Sequence, residues 1–430
     1  MLSRYESRSW PHEKNSDDER NSVLRCKHIL ALLVFISTPG IVDAQDIENL
    51  AGGSPDSFLI GGLSEERTWL QEHGAVVRVF ATNDYVGVVS GGIDRKGGIV
   101  GNFNSTVELD TDKLGLWEGG KALVYGVGVY GADPTKFVGD YQYTDNIEGI
   151  DQYILYQAWY SQTFIEDTLD VLMGVHDFNT DFAISEFALP LINSSFWLPV
   201  TISQRATPTF PTTGLGVRIK VQPTASSSIQ YGIYDGHAGS PNRPLAWDIR
   251  LRRGDGAFHI GEVGYTPEGV TTGLKKVAVG AWYNSGNLVD NKGNPRSGNY
   301  GTYLLGDYQF TAEEVDSTQG LGFFLQLGQA DAKRNQISRY FGTGFSCKGL
   351  IPDRNDDTAW LGLNIARNSS DFRAANQGRE RSERVVEVGY RASLTPYLAI
   401  SPDLQYVINP FMNPSTDNAL VVMVRSEIEL

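Results

Sequence analysis

Hydrophobic and polar residues alternate along most of the chain with a period of two. The segment GLGVRIKVQP (214–223) places Leu, Val, Ile and Val at odd positions and glycine, basic or amide residues at even positions. The segment VEVGYRA (386–392) alternates in the same way. This pattern is typical of β-strands that have one apolar face and one polar face.

About sixteen segments of this kind follow one another after residue 74. The predicted strands lie near 75–89, 98–110, 121–131, 152–163, 169–176, 213–222, 227–234, 246–265, 275–285, 301–311, 319–329, 337–347, 357–367, 384–394, 397–408 and 418–430. One short helix is predicted at 64–74, with Ser64 as its N-cap and Gly74 as its stop.

The links between these strands alternate between short and long. Short turns are expected at 223–226 and 395–397, and long polar stretches at 286–300 and 368–383. This asymmetry is typical of outer-membrane barrels. We therefore predict an all-β fold: a transmembrane antiparallel β-barrel of about sixteen strands, with an inward-folded constriction loop and one short N-terminal helix. A secreted β-sandwich or β-helix is the structural alternative, although a β-helix requires a short internal repeat and the sequence contains none.

Aromatic residues recur near the predicted strand ends, where barrels anchor themselves in the headgroup region. We expect this role for Tyr125, Tyr130, Trp159, Tyr160, Trp282, Tyr283, Tyr390, Tyr397 and Tyr406.

The composition excludes a helical membrane protein, and the N-terminal residues predict a leader. The chain is 41% hydrophobic with a mean hydropathy of -0.25. Its longest near-continuous apolar run, Ile29 to Ile36, is shorter than the roughly 20 residues of a spanning helix. Basic residues precede that run, and Val42-Asp43-Ala44 follows it as a cleavage site. The predicted organisation is a leader and signal peptide (1–44), an N-terminal periplasmic segment with the short helix (45–74), and an outer-membrane barrel (75–430).

Charge and reactive residues narrow the function further. A net charge of -15 argues against nucleic acid as a partner. The processed chain would keep one cysteine, Cys347, which excludes an internal disulfide. Its few histidines are widely spaced, and GVGVYG (126–131) lies inside a strand pattern with no helix after it, so we predict neither a metal site nor a bound cofactor.

Several stretches resemble the carbohydrate-selective porins of the OprB family. The resemblance extends from about Gly61 to Leu430, and its most specific parts are the PDLQYVINP and NSSF motifs. It rests on SEFALPLINSSFWLP (185–199), GVRIKVQP (216–223), GNYGTYLLGDYQF (298–310), SCKGLIPDRNDD (346–357) and TPYLAISPDLQYVINP (395–410), followed by ALVVMVRSEIEL. The last strand resembles the closing strand of that barrel, with Val424, Ile428 and Leu430 toward lipid. The family usually ends in an aromatic residue, whereas this chain ends in Leu430.

A porin selects at a constriction rather than by bond chemistry. The longest interruption between strands, 177–212, is therefore predicted to fold into the lumen. Its aromatic faces suit a sugar ring and its polar groups suit hydroxyls, and basic residues on the next strand are expected to face inward. The predicted constriction residues are Asp177, Phe178, Asp181, Phe182, Glu186, Asn193, Trp197, Arg205, Arg218 and Lys220. Weaker candidates are Glu108, Asp110, Arg250 and Arg252. Packing against the wall is the alternative role for each aromatic.

We predict a passive channel for small sugars into the periplasm, with no catalytic residue. The alternatives are a general porin without sugar preference, a barrel-borne lipid hydrolase, and a secreted carbohydrate-binding protein. Expected partners are small carbohydrates, outer-membrane lipid and lipopolysaccharide, the barrel-assembly machinery, and in some cases further copies of the chain.

Overall fold

The computed structural model describes residues 64–165, 168–205, 207–238, 254–313 and 316–430. Sixteen strands in this part of the chain form one closed barrel in which each strand pairs antiparallel with its neighbours and β1 pairs with β16. The predicted leader (1–44), residues 45–63, and Arg250 and Arg252 lie outside the described residues.

Most strands match the predicted segments closely, but the strand predicted at 246–265 begins only at Ala257, after a turn at 254–255. The strands are β1 (Ala75–Gly92), β2 (Gly97–Asp110), β3 (Gly120–Gly131), β4 (Gln152–Phe164), β5 (Leu169–His176), β6 (Gly214–Thr224), β7 (Ser227–Asp235), β8 (Ala257–Tyr265), β9 (Gly273–Val289), β10 (Pro295–Gln309), β11 (Gly320–Ala330), β12 (Ile337–Lys348), β13 (Thr358–Asn368), β14 (Ser382–Thr395), β15 (Leu398–Ile408) and β16 (Asp417–Glu429).

Helices are short and lie outside the wall strands. They are α1 (Ser64–Glu72), α2 (Thr135–Val138), α3 (Ser194–Trp197), α4 (Val200–Ser203) and α5 (Ser370–Ala375), with 3-10 turns at Phe178–Thr180, Glu186–Ala188 and Pro410–Met412. Within the described ranges, none of these helices has the length and apolar character needed to cross a membrane.

The two faces of the wall have reversed polarity compared with a soluble protein. On β16, Val422 and Val424 face outward and Val424 is 41% exposed, whereas Arg425 faces inward and is 9% exposed. On β14, Val386 and Val388 point outward, and Glu387 between them is fully buried inside. An apolar outer face and a polar inner face are what a barrel in lipid requires, and the outward direction expected for Val424 is confirmed.

One predicted loop is wrong. The stretch 286–300 was expected to be a long polar link, but β9 continues to Val289 and β10 begins at Pro295, so only 290–294 connects them. These strand ends carry polar residues on both faces, which removes the period-two signal. The predicted link at 368–383 is close to the observed connection, residues 369–381.

The connections differ between the two rims. Residues 225–226 and 396–397 make tight turns at the rim that also carries both ends of the barrel. The opposite rim carries the long connections 132–151, 177–213 and 369–381. In outer-membrane barrels the short turns are periplasmic and the long loops extracellular, which orients this barrel.

Three of the predicted membrane-anchoring aromatics face the lumen instead. Tyr125 pairs with inward-facing Thr106, and Trp159 and Trp282 share the same inner face of their strands. Tyr125 and Trp282 are buried there, at 1% and 4% exposure. The prediction was wrong for these residues because the interior is filled by packed loops, which creates apolar sites inside the barrel.

Candidate functional site

The longest connection, residues 177–213 between β5 and β6, leaves and rejoins the wall at one place; we call it the long inner loop. Its ends lie side by side, because the Phe178 backbone N–H donates to the Pro208 carbonyl at 3.0 Å. The Asp177 carboxylate caps the first turn by accepting from the Asn179 N–H at 2.8 Å. The residues between these ends therefore form a loop that leaves the pairing of β5 with β6 intact.

Inward-pointing side chains of β8 and β10–β15 bind this loop across the lumen. Glu387 makes the most direct attachment, accepting the backbone N–H groups of Ile192 at 2.6 Å and Asn193 at 2.9 Å. In a closed ring of these sixteen strands β13 lies opposite β5, so the loop reaches the far wall. The strand residues that bind it are Glu262, Asp307, Gln326, Tyr340, Asn364, Glu387 and Gln405.

Apolar side chains of the loop fill the space between these attachments. Phe178 and Phe182 are fully buried against Phe258 and Trp282 of the wall. Phe196 meets Phe324 edge-on, with ring centroids 5.8 Å apart. Such packed aromatic pairs contribute about 0.5–1.5 kcal/mol each beyond the area they bury, so they add to the hydrogen bonds that hold the loop.

A glycine on β13 makes room for this packing. A Cβ atom on Gly362 would lie 2.3 Å from the Leu191 side chain and 2.7 Å from Phe196. Any side chain at this position would displace Leu191 or Phe196, so the glycine leaves the space that the packed loop occupies.

A charged cluster joins the start of the loop to the wall strands beside it. Arg218 of β6 bonds through Nε to Asp181 of the loop at 3.2 Å and through Nη1 to Asp170 of β5. His176 Nε2 lies 3.2 Å from the same Asp181 oxygen, and Lys220 points inward from β6 opposite Asp170. Burial alone would raise the pKa of Asp181, but Arg218 and His176 outweigh it and hold that pKa below its usual range. Asp181 is therefore a carboxylate at neutral pH.

An aromatic residue borders this cluster. Trp159 of β4 is half-buried, faces the lumen, and meets the His176 ring edge-on with centroids 6.4 Å apart. Asp181 keeps 20% of its side chain exposed. The site therefore combines an indole with partly hydrated charges.

A second connection, residues 132–151 between β3 and β4, also lies against the inner face; we call it the short inner loop. Glu383 of β14 accepts its Tyr141 and Gln142 backbone N–H groups at 2.9 and 3.0 Å. Arg425 of β16 lies 3.5 Å from Asp145 of this loop and bonds to Asp84 of β1 at 2.6 Å.

The two inner loops also bond to each other. The Ser194 N–H donates to the Tyr143 carbonyl, and the Asn146 N–H donates to the Ile192 carbonyl, both at 3.0 Å. They form one connected partition inside the barrel.

Residues 95–430 match the model of a protein family described as carbohydrate-selective porin, OprB family. The chain belongs to this family. The match covers the barrel from the first hairpin to the last residue and includes both inner loops.

Individual relatives agree with this assignment. Porin B of Pseudomonas aeruginosa is 22% identical over 428 residues, covering 86% of this chain and 91% of that protein. Porin AaxA of Chlamydia trachomatis is 24% identical over 293 residues, covering 65% of this chain and 56% of that one. The high-pH structure of Pseudomonas putida OprB shares the fold, with a TM-score of 0.79 and 20% identity over 88% of this chain and 99% of that one.

As an OprB-family porin, the protein is a channel of the bacterial outer membrane through which small carbohydrates diffuse. The family comprises channels and not enzymes, so the lipid hydrolase alternative is set aside. The carbohydrate-selective family also favours a sugar channel over a general porin.

The ten predicted constriction residues occupy four kinds of position. Asp181, Arg218 and Lys220 meet in the charged cluster, with Glu186 exposed farther along the loop. Arg205 lies at the extracellular rim, where its guanidinium donates to the carbonyls of Val289 and Arg334. The others hold the loop together by packing, capping or hydrogen bonds: Asp177, Phe178, Phe182, Asn193 and Trp197. Glu108 and Asp110 face inward on β2.

The prediction missed Asp170, His176 and Trp159 as members of the cluster. Asp170 alternates with the apolar residues of LDVLMG (169–174), so the period-two pattern already placed it on the inner face. His176 carried no such signal, because it is the last strand residue before the loop. The wall carboxylates Glu262, Asp307 and Glu387 were also visible as polar positions in alternating strands, but nothing local showed that they bind one loop.

Proposed function

We propose that sugars are selected where the long inner loop meets the charged cluster of Asp170, Asp181, Arg218 and Lys220. The observation that carries this proposal is the contact between Asp181 of the loop and Arg218 of the wall. This contact joins the long inner loop, which lies inside the lumen, to a charged residue of β6. Pore width and lining groups together set the selectivity of such a channel.

The chemistry of the cluster suits a neutral polyhydroxyl solute. Each sugar hydroxyl can both donate and accept hydrogen bonds, and this cluster offers carboxylate acceptors beside guanidinium and ammonium donors. Because Asp181 and Arg218 already neutralise each other, the pair presents polarity without a strong net field. The half-buried Trp159 adds an apolar surface for the C–H face of a pyranose.

The test is planar-bilayer conductance titrated with mono- and disaccharides. We expect graded, saturable closure of the wild-type channel. Asp181→Asn and Arg218→Gln should each raise the half-saturating sugar concentration several-fold by removing charged hydrogen-bonding groups. Trp159→Leu should weaken closure as well.

The matched control is Arg391→Gln. Arg391 is also an inward-facing cation paired with a carboxylate, Glu427 at 2.7 Å, but it lies on β14, which is opposite β6 in the ring of sixteen strands. Its loss should leave sugar closure unchanged. Equal effects of all the variants, or closure that none of them alters, would contradict a selective site at this cluster.

Further partners follow from the outer-membrane location and stay predictions. We expect the outward apolar residues to contact outer-membrane lipid and lipopolysaccharide, and the closing strand to be inserted by the barrel-assembly machinery despite Leu430. A homo-oligomer is also a prediction, testable by native mass determination in detergent. The segment 45–74 is expected to lie on the periplasmic side, where α1 contacts β1.

A further inference from the structure

Three arginines point outward from adjacent strands at the extracellular rim. Arg339 of β12, Arg367 of β13 and Arg384 of β14 are all exposed. Arg339 and Arg367 are direct cross-strand partners, and Arg384 pairs with Ile365, which places it diagonal to Arg367. Direct partners have Cβ atoms about 5 Å apart and diagonal ones about 7–8 Å apart. The three guanidinium groups therefore share one small patch, which we call the arginine patch.

The patch lies at the upper edge of the apolar band. On each strand the arginine stands two positions beyond an outward apolar residue, namely Phe341, Ile365 and Val386. Two strand residues span about 6.7 Å, and arginine side chains at such a boundary extend their charged ends into the headgroup layer. Because this rim carries the long loops, that layer belongs to the outer leaflet.

No carboxylate of the described residues forms an ion pair with these arginines. The neighbouring acids of β14, Glu383 and Glu387, are buried on the inner face and bind the two inner loops. Asp371 and Glu380 occupy the connection above but make no salt bridge to the patch. Like charges directly opposite each other destabilise a sheet, and an anion bound between them would offset that repulsion.

We propose that the arginine patch binds the phosphate groups of the outer-leaflet glycolipid, lipopolysaccharide. Guanidinium groups match phosphate oxygens in a bidentate manner, and the membrane outside this rim supplies phosphate at the same height. The net charge of the whole protein is -15, so three clustered cations facing lipid run against its overall charge. The site lies on the outer wall and is independent of the sugar pathway.

The experiment uses the full-length protein in detergent, incubated with bisphosphorylated lipid A and examined by native mass spectrometry. The triple variant Arg339→Gln, Arg367→Gln, Arg384→Gln should bind lipid A at least about tenfold more weakly, because it loses all three charge-assisted contacts. Lipid A from which both phosphates have been removed should bind weakly to the wild type. Its affinity should be no higher than that of intact lipid A for the triple variant.

A matched variant removes three exposed cations elsewhere: Arg95→Gln, Lys113→Gln and Lys292→Gln. It removes the same number of positive charges as the triple variant and should bind lipid A as tightly as the wild type does. The charge-retaining variant Arg339→Lys, Arg367→Lys, Arg384→Lys should bind lipid A more weakly than the wild type and more tightly than the glutamine variant. It also tests the proposal if the glutamine variant does not fold.

Five results would overturn the proposal. Unchanged binding by the glutamine variant, or equal loss in the matched control, would assign the affinity to other groups. Equal binding of dephosphorylated lipid A would assign it to acyl chains. Full displacement of lipid A by millimolar inorganic phosphate would indicate a free-phosphate site. A dimer that disappears in the glutamine variant would make the patch an interface between copies of the chain.

Discussion

The long and short inner loops occupy the same lumen and both donate backbone N–H groups to carboxylates of β14, but they differ in the other contacts that hold them. The long loop places aromatic side chains such as Phe182 and Phe196 into apolar sites of the wall. The short loop depends more on charged groups, with Asp145 beside Arg425 and Glu148 against the Thr135 N–H at 3.2 Å. Apolar packing is insensitive to pH, whereas buried carboxyl groups are not. The long loop also binds the wall carboxylates Glu262, Asp307 and Glu387, but its aromatic packing does not depend on pH, so we expect the short part of the partition to respond more strongly to pH.

Excising the long loop should produce the largest change. The loop ends already meet at Phe178 and Pro208, so a short Gly-Ser linker can replace residues 179–207 without disturbing β5 or β6. We expect single-channel conductance to rise several-fold and sugar closure to disappear, because conduction and selectivity follow the width and lining of the pore. An equivalent replacement of 136–147 should raise conductance less. Similar conductance for both deletions would show that the long loop is not the main obstruction.

Removing Arg425 should weaken the barrel itself. Arg425 is the shared partner of buried Asp84 and Asp145, and breaking a buried ion pair from one side costs about 3–5 kcal/mol. Arg425→Met should therefore lower the urea midpoint for unfolding from lipid vesicles, and Asp84→Asn added to it should recover part of the loss.

Arg391→Met is the control for this measurement. Its pair with Glu427 is partly exposed and should contribute at most about 1 kcal/mol. Equal destabilisation by Arg425→Met and Arg391→Met would contradict the prediction that the buried ion pairs of Arg425 stabilise the barrel more than the exposed pair of Arg391.

The smallest effect should be a pH dependence that is greater in the short loop than in the long loop. Burial, together with a hydrogen bond shared with Asp133, raises the pKa of Glu148 to about 10. Between the ordinary glutamate range and that value, the closed loop retains a proton that an open loop releases. Closure is thus fully stabilised at low pH and weakens as pH rises, with the opening equilibrium increasing up to about tenfold per pH unit.

Limited proteolysis or hydrogen exchange of residues 132–151 between pH 6 and 9 measures this opening. Glu148→Gln, which mimics the protonated acid, should reduce the pH dependence, because Asp140 and Asp145 remain as buried acids of the loop. Exchange in the long loop should change less with pH in both proteins. A pH-dependent long loop with an unresponsive short loop would reverse the comparison.

Much of the wall could be predicted because alternation is a local property. The outward direction of Val424 and the inward direction of Arg218 follow from single strands, without knowledge of their neighbours. Prediction failed where both faces share one environment, as in the hydrated strand ends at 286–300, and where loops make the lumen apolar, as around Trp282.

The proposed constriction was harder to predict than the wall, because it depends on contacts between residues that are distant in the sequence. Loop length and composition predicted that 177–212 was important, and Asp181 and Arg218 were both candidates from their positions. Their 3.2 Å contact, and the role of Glu387 as an anchor for Ile192, join segments far apart in the chain. No periodicity reports such a pairing.

The sequence by itself determined a sixteen-stranded barrel, its inner and outer faces and its family, because these depend on strand alternation and on local motifs. Only the tertiary structure decided which residues meet inside the barrel and which arginines become neighbours outside it. The physical reason is that cross-strand register and loop docking bring together side chains from separate strands. Those contacts exist only in the closed barrel and cannot be read from any single strand.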